Sequence, residues 1–239
     1  MGARKTAPGD TRGRPQGREP EPAPFEVKDC ALIRVSTGLR AQSLREFLLH
    51  LRDVPAASIY HHFWGRFLEP TFDEPEFGND FSGWAARGLN DRALAERLAA
   101  IDPGQHEDLE TLRLAVIDAI EARLDESEWV PWAKAEQQFC FVWSQMIVFG
   151  TGRSAASPGE LGRMIPELSS GSIFYHFLEA RRRPPLGDDD FTRWLHGFTP
   201  RWDHACQALR AIEATLTDLR ELRARVSQVF AAGPDRSDL

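Results

Sequence analysis

Two stretches of the chain are rich in apolar and β-branched residues, and each one precedes a series of helical patterns. The first runs from Phe25 to Val35 and the second from Phe139 to Phe149. Glycine turns follow them, at Thr37-Gly38 and at Gly150-Thr151-Gly152, and predict where the two strands end. Because a lone strand leaves its backbone groups unpaired, we expect these two strands to pair with each other.

Patterns typical of helices follow each stretch. Ser43 precedes Glu46 by three positions and Ser157 precedes Glu160 by three, which is the spacing of a capping box at a helix N-terminus. Apolar residues then recur at intervals of three and four positions, as in helices that bury one face. Each half of the chain is therefore predicted to form a strand, two helices, a proline-rich acidic loop, two further helices and a long final helix.

The two halves also match residue by residue. With a shift of 114 positions, 11 of the 39 residues from Phe25 to Phe63 are identical to their counterparts. The match includes the hexapeptide Ser58–Phe63, which returns as Ser172–Phe177; beyond it the shift becomes 110, and Asp80, Phe81 and Trp84 match Asp190, Phe191 and Trp194. A repeat of this length indicates two copies of one small unit.

The predicted fold is mainly α (α+β). Two tandem strand-plus-helices units are related by a pseudo-twofold axis, and their strands pair in a small antiparallel sheet. Residues 1–24 contain no large apolar residue after Met1, so we expect a disordered tail there. The first unit then covers residues 25–124, a connector 125–138, the second unit 139–230 and a flexible C-terminus 231–239.

The composition is that of an ordinary soluble protein, with 239 residues of which 42% are hydrophobic and 27% charged. The net charge of −7 argues against a broad nucleic-acid-binding face. The three cysteines include no C-x-x-C pair, which fits a reducing compartment. Since no apolar run approaches a membrane span and no signal-peptide core follows Met1, we expect a cytoplasmic protein.

The duplicated polar residues are the candidates for chemistry. Two histidines and two carboxylates, His62 with Asp80 and His176 with Asp190, are a possible ligand set for a divalent metal or an acid–base pair. The structural alternative is that Asn79 or Asp80, and Asp189 or Asp190, cap their helices, and that Asp80 and Asp190 each accept a hydrogen bond from the histidine of their own half. The accompanying tryptophans are interpreted as core residues or as aromatic walls of a site, namely Trp84 and Trp194.

Two further features differ between the halves. His61 is matched by Tyr175 and lies about 100° around the helix from His62, so it is either an exposed side chain or the residue of a one-sided activity. The basic run Arg181, Arg182 and Arg183 either stabilises the end of its helix or contacts a phosphate or nucleic acid.

The two copies of S-I-[YF]-x-H-F, each followed by D-F-x-x-W, resemble domain of unknown function 5752, an uncharacterised prokaryotic family. The resemblance covers about residues 25–230. It implies a duplicated bacterial cytoplasmic protein, and it assigns no activity, substrate, cofactor or catalytic residue.

No P-loop, G-x-S-x-G or H-E-x-x-H motif occurs in the sequence. We therefore expect a non-enzymatic binding or scaffold module that holds a protein or small-molecule partner in a groove between its units. The alternatives are a metal-dependent hydrolase that uses His62, Asp80, His176 and Asp190, and a nucleic-acid-binding protein that uses the tail and Arg181–Arg183. Neither a cofactor nor an oligomeric state follows from the sequence.

Overall fold

The structure is a computed structural model, and it describes residues 22–69, 77–126, 134–184, 187–213 and 218–234. The predicted tail lies outside the described residues up to residue 21, and the predicted flexible C-terminus lies outside them from residue 235. Parts of the two acidic loops, residues 70–76 and 185–186, lie outside them as well.

A two-stranded antiparallel sheet and ten α-helices make up the regular structure of the described ranges. The first half of the chain (residues 25–126) and the second half (residues 134–234) each contain a strand followed by five helices. The elements are β1 (Phe25–Ser43), α1 (Leu44–Asp53), α2 (Ala56–Trp64), α3 (Asp80–Arg87), α4 (Arg92–Ala99), α5 (Leu109–Asp125), β2 (Lys134–Ala155), α6 (Pro158–Met164), α7 (Ser170–Ile173), α8 (Asp190–Leu195), α9 (Asp203–Arg210) and α10 (Leu219–Ala231). A π-helical segment, Phe174–Glu179, continues α7.

The pairing of the two strands confirms the predicted antiparallel sheet. The register is continuous from Lys28, opposite Gly150, to Ser36, opposite Val142. Leu32 pairs with Met146 at the middle of this segment, and these two residues are 114 positions apart. The centre of the sheet therefore joins residues that occupy the same place in the two sequence copies.

The strands do not end at the glycines, so that prediction is wrong. β1 continues through Thr37-Gly38 and β2 through Thr151-Gly152, and the register shifts at both places. Gly38 has φ +78° and Gly152 has φ +72°, values that glycine adopts without steric cost. The glycines thus form β-bulges that bend each long strand and do not stop it. β2 also begins earlier than predicted, at Lys134, inside the stretch assigned to the connector.

Each strand completes the hydrophobic core of the opposite half. Phe25 of β1 stacks on Phe191 at 5.3 Å between ring centroids and contacts the ring of His176 at 4.8 Å. In the same way Phe139 of β2 contacts Phe47 and His62, at 4.9 and 4.7 Å. The helices of one half therefore bury the strand of the other, and neither half holds a complete core on its own.

The centre of the sheet presents an apolar outer surface. Ile33 and Ile147 are 49% and 44% exposed, and Val35 and Phe149 extend the same face. Within the described ranges, no helix has both the length and the apolar character that crossing a bilayer requires.

Candidate functional site

The histidine of each hexapeptide, and in the first half also the serine, forms a hydrogen bond to the edge of a strand. In the first half, Ser58 Oγ donates to the carbonyl of Val142 at 2.7 Å, and the N–H of Val142 donates to His62 Nε2 at 3.2 Å. In the second half, the N–H of Lys28 donates to His176 Nε2 at 2.8 Å. These bonds satisfy backbone groups that an edge strand otherwise leaves unpaired.

The other nitrogen of each histidine is bonded to the aspartate of the same half. His62 Nδ1 lies 2.9 Å from Asp80 Oδ2, and His176 Nδ1 lies 2.8 Å from Asp190 Oδ2. Because Nε2 accepts a hydrogen bond, Nδ1 carries the proton and donates it. Both nitrogens of both rings are therefore occupied, as in a neutral histidine that joins a helix to a strand.

The aspartates of these pairs are not the helix caps. Asn79 Oδ1 accepts from the N–H of Ser82, and Asp189 Oδ1 accepts from the N–H of Thr192. Asp80 and Asp190 each stand one residue later, at the first helical position. Of the two cap candidates at each helix, Asn79 and Asp189 are therefore confirmed, and Asp80 and Asp190 are not caps. The predicted contact of Asp80 and Asp190 with the histidines is present.

The two His–Asp pairs are too far apart to share a metal ion. His62 binds the edge of the sheet at Val142, which pairs with Ser36, whereas His176 binds it at Lys28. Lys28 and Ser36 are eight residues apart on one strand, a distance of roughly 26 Å. A single ion held by all four predicted ligands is thus excluded by geometry.

Each predicted tryptophan donates to a backbone carbonyl of the opposite half, which lies within β2 for Trp84 and two residues before β1 for Trp194. Trp84 Nε1 donates to the carbonyl of Gln137, and Trp194 Nε1 donates to the carbonyl of Ala23, both at 2.7 Å. Trp84 also stacks on Phe47 at 4.9 Å. The structure places these two side chains in the packing of the core, away from the groove described below.

The predicted basic patch is engaged within the protein. Arg181 donates to the carbonyls of Ile212 and Leu209. Arg182 stacks over Trp64 at 4.0 Å, and Arg183 donates to Asp190 at 2.8 Å. Because Arg181 and Arg183 are hydrogen-bonded internally, the run does not form the extended cationic surface that a nucleic acid requires.

His61 is buried, so the alternative of an exposed side chain is wrong. It is 5% exposed, and its Nδ1 is buried without a hydrogen-bond partner among the described residues. The imidazole fills the space beside Gly65, where a Cβ would lie 2.6 Å from Nδ1. Burial lowers the pKa of His61 to about 4, and the neighbouring His62 and Arg34 act in the same direction against the effect of Asp80.

A pH dependence follows from this pKa. Between pH 6.5 and 4 the imidazole of His61 binds a proton in the unfolded chain but not in the folded chain. The contribution of His61 to the free energy of unfolding is therefore fully present above pH 6.5 and is lost as the pH falls towards 4. We expect His61→Phe to reduce the acid destabilisation between pH 7 and 4.5 by about 2–3 kcal/mol. Urea unfolding of both proteins at the two pH values, in chelator-treated buffer, measures the difference; equal losses in the two proteins contradict the assignment.

A groove lies where the two halves meet. A cavity of about 390 Å³ is lined by Trp64, by the segment from Pro103 to Leu112, and by Arg181, Arg182 and Gly187 of the second half. A second cavity of about 190 Å³ shares Trp64 and Pro103 with it, and has apolar walls that include Phe63, Phe67, Ile101 and Leu178. We call these two cavities together the groove.

Most residues that line the groove were not predicted from the sequence. Trp64 directly follows the first hexapeptide and is matched by Leu178 after the second, so this difference between the halves was the available signal. The loop that contains His106 has no sequence pattern that would predict its place in the wall of a cavity. Cys30 does not line the groove, and burial raises the pKa of its thiol to about 12, which makes it a poor nucleophile.

Comparison with known proteins places this fold in a family. The model of a family of unknown function, DUF5752, matches residues 22–231. The chain belongs to this family. The solved structure of OrfY from Thermoproteus tenax is similar, with a TM-score of 0.72 and 27% sequence identity over 88% of this chain and 95% of that one. No curated protein matches the sequence.

Proposed function

We propose that this DUF5752 protein is a non-enzymatic binding module, made of two copies of one unit, that holds a small carboxylate in its groove. The observation that carries the proposal is the placement of Trp64 and Arg182, from opposite halves, against each other in the wall of one cavity. A concave site at the junction of two units is a common place for a small ligand.

The duplication is supported by contacts that recur at corresponding positions. Thr37 Oγ1 donates to the carbonyl of Phe141 and Thr151 Oγ1 to the carbonyl of Val27, both at 2.7 Å. The histidine–strand, histidine–aspartate and tryptophan–carbonyl bonds recur in the same way. Repetition in both sequence and hydrogen bonding is what the copying of one ancestral unit produces.

The charges around the groove favour a ligand with a single negative charge. The guanidinium of Arg182 is held by Trp64 and by a 3.4 Å ion pair with Glu179, and its planar fork suits a carboxylate. Glu107 and Asp108 line the same cavity. These two carboxylates oppose a multiply charged phosphate, so a monocarboxylate is preferred.

The smaller cavity determines the rest of the ligand. Its walls are formed mostly by aromatic and aliphatic side chains, and it meets the larger cavity at Trp64 and Pro103. A ligand that lies across both cavities therefore has an apolar group of a few carbon atoms attached to its carboxylate. Burial of that group contributes about 0.8 kcal/mol for each CH₂.

Titration calorimetry with aliphatic and aromatic monocarboxylates, each beside its uncharged amide, tests this function. We expect the acids to bind at least tenfold more tightly than their amides, and Arg182→Gln to remove that difference while Arg182→Lys keeps part of it. Arg153→Gln, which breaks an exposed ion pair with Glu167, is the matched control. Equal affinity for acid and amide, no binding of either, or binding that Arg182→Gln leaves unchanged contradicts the proposal.

The alternatives from the sequence have less support. A hydrolase with one metal held by both His–Asp pairs fails on the distance between them. Nucleic-acid binding through Arg181–Arg183 has less support because Arg181 and Arg183 are hydrogen-bonded within the protein, whereas Arg182 lines the groove.

A further inference from the structure

The second half holds an internal cation between its tyrosine and its aspartate. Arg183 donates to Tyr175 Oη at 3.0 Å and to Asp190 Oδ2 at 2.8 Å, and its guanidinium lies 4.3 Å from the centroid of the Tyr175 ring. Asp190 also accepts from His176. Arg193 adds a longer ion pair with Asp190 at 3.6 Å, so Arg183 is the nearer of two guanidinium groups that neutralise this carboxylate.

The first half has a different set of groups at the corresponding positions. His61 takes the place of Tyr175, and Asp80 takes that of Asp190. Glu69 takes the place of Arg183: both residues directly follow a 3-10 turn, and both N–H groups donate three residues back at 3.1 Å. The carboxylate of Glu69 pairs with Arg34 at 2.6 Å. The arginine of the second half is therefore replaced by an acid that points to another partner.

Three potential ligand groups come together there. One ring nitrogen of His61, one of His62 and a carboxylate oxygen of Asp80 lie within 4.8 Å of one another. The side chain of Asp80 is 41% exposed, against 20% for Asp190, so the first-half carboxylate is open to solvent. The buried Nδ1 of His61 has no partner among the described residues, in contrast to the nitrogens of His62 and His176.

We infer that the first half binds a divalent transition-metal ion between His61 and Asp80, where the second half places the guanidinium of Arg183. An imidazole nitrogen and a carboxylate oxygen are ligands that Zn²⁺ and Co²⁺ accept. His62 is a positioning residue, because it donates Nδ1–H to Asp80 and orients the carboxylate. This site is separate from the groove and does not depend on the proposed function.

The site has two ligands from the protein, so water completes the coordination of the ion. Two nearby cations among the described residues oppose binding. The guanidinium of Arg66 donates to the carbonyl of Phe77, and burial lowers its pKa against the effect of Asp80. The charge of Arg34 acts on His61 and lowers the pKa of that imidazole. Two ligands and two opposing charges, of which Arg34 is paired with Glu69, indicate moderate affinity, and coordination positions of the ion remain accessible from solvent.

Metal titration of the untagged, chelator-treated protein tests the inference. We expect Co²⁺ to give a visible absorption spectrum that Zn²⁺ displaces, with one ion per chain by calorimetry. His61→Phe and Asp80→Asn should each weaken Zn²⁺ binding at least tenfold. His196→Ala is the matched control, because His196 forms an exposed pair with Asp188 at 3.6 Å and would account for adventitious surface binding.

A further variant adds a cation and leaves both ligands in place. Glu69→Arg introduces at a partly exposed position the guanidinium that the second half carries, and it should reduce Zn²⁺ affinity at least tenfold while the circular dichroism spectrum stays that of the wild type. The inference is overturned if neither metal binds the wild-type chain, if His196→Ala removes the binding, or if His61→Phe and Glu69→Arg both bind Zn²⁺ as the wild type does.

Discussion

Replacing Phe141 with alanine should lower the free energy of unfolding by about 3–5 kcal/mol, and the largest local effect should appear in the first half of the chain. Phe141 belongs to β2, yet its fully buried ring lies 5.2 Å from the ring of Phe47 in α1 and 6.2 Å from that of His62 in α2. Removing it leaves a cavity among first-half helices. Urea denaturation gives the total loss, and hydrogen exchange read by mass spectrometry locates it.

Phe149→Ala is the matched control on the same strand. Its ring is 48% exposed on the outer face of the sheet, so its removal should cost less than about 1 kcal/mol. In the Phe141 variant the amides of α1 and α2 should lose more protection than those of α6 and α10. Greater loss in the second-half helices would show that each half buries its own strand, contrary to the structure.

The substitution Gly171→Ala should destabilise the protein by about 1–3 kcal/mol, although alanine usually favours a helix. A Cβ at this position would overlap the carbonyl oxygen of Cys30 in β1 and the carboxylate of Asp29. The carbonyl belongs to the backbone of the sheet, so it cannot rotate away, and α7 must move from the strand. Thermal and urea unfolding of the variant measure the cost.

Gly159→Ala provides the comparison for this second variant. Gly159 lies in α6, and a Cβ there meets no atom within 4 Å. Alanine should therefore leave the stability unchanged or raise it by up to about 1 kcal/mol through helix propensity. If the two glycine variants unfold at the same urea concentration, α7 tolerates a Cβ at position 171 and the close contact with β1 does not require glycine.

Local features of the fold could be predicted because they depend on neighbouring residues. Ser43 and Ser157 cap their helices, since a side-chain oxygen three residues before an N–H group needs no other element of the fold. The pairing of the two strands followed from the requirement that a lone strand find a partner. The failure at Gly38 and Gly152 has a clear cause: a positive φ suits a bulge as well as a turn, and sequence does not distinguish the two.

The site was less predictable, because its properties arise from contacts between distant elements. His61 lies off the apolar stripe of its helix, which predicts exposure only for a helix with one buried face. α2 is buried on all sides from Ser58 to Trp64, so the position of a residue relative to the apolar stripe does not predict its exposure in this helix. The groove is lined by Trp64 of the first half and Arg182 of the second. The similarity of the two sequences does not predict which residues of one half contact the other.

Because each strand packs in the core of the opposite half, we expect the core of the first half to close only after β2 has been synthesised. The hydrogen bond from Thr37 to Phe141 spans 104 residues, so the core around Phe47 stays open until β2 has left the ribosome. Long-range closure of this kind slows folding, because loop entropy is lost before the contacts form. During synthesis, helices α1–α5 therefore expose apolar surface before β2 is available. We expect binding of a chaperone to reduce aggregation most at this stage.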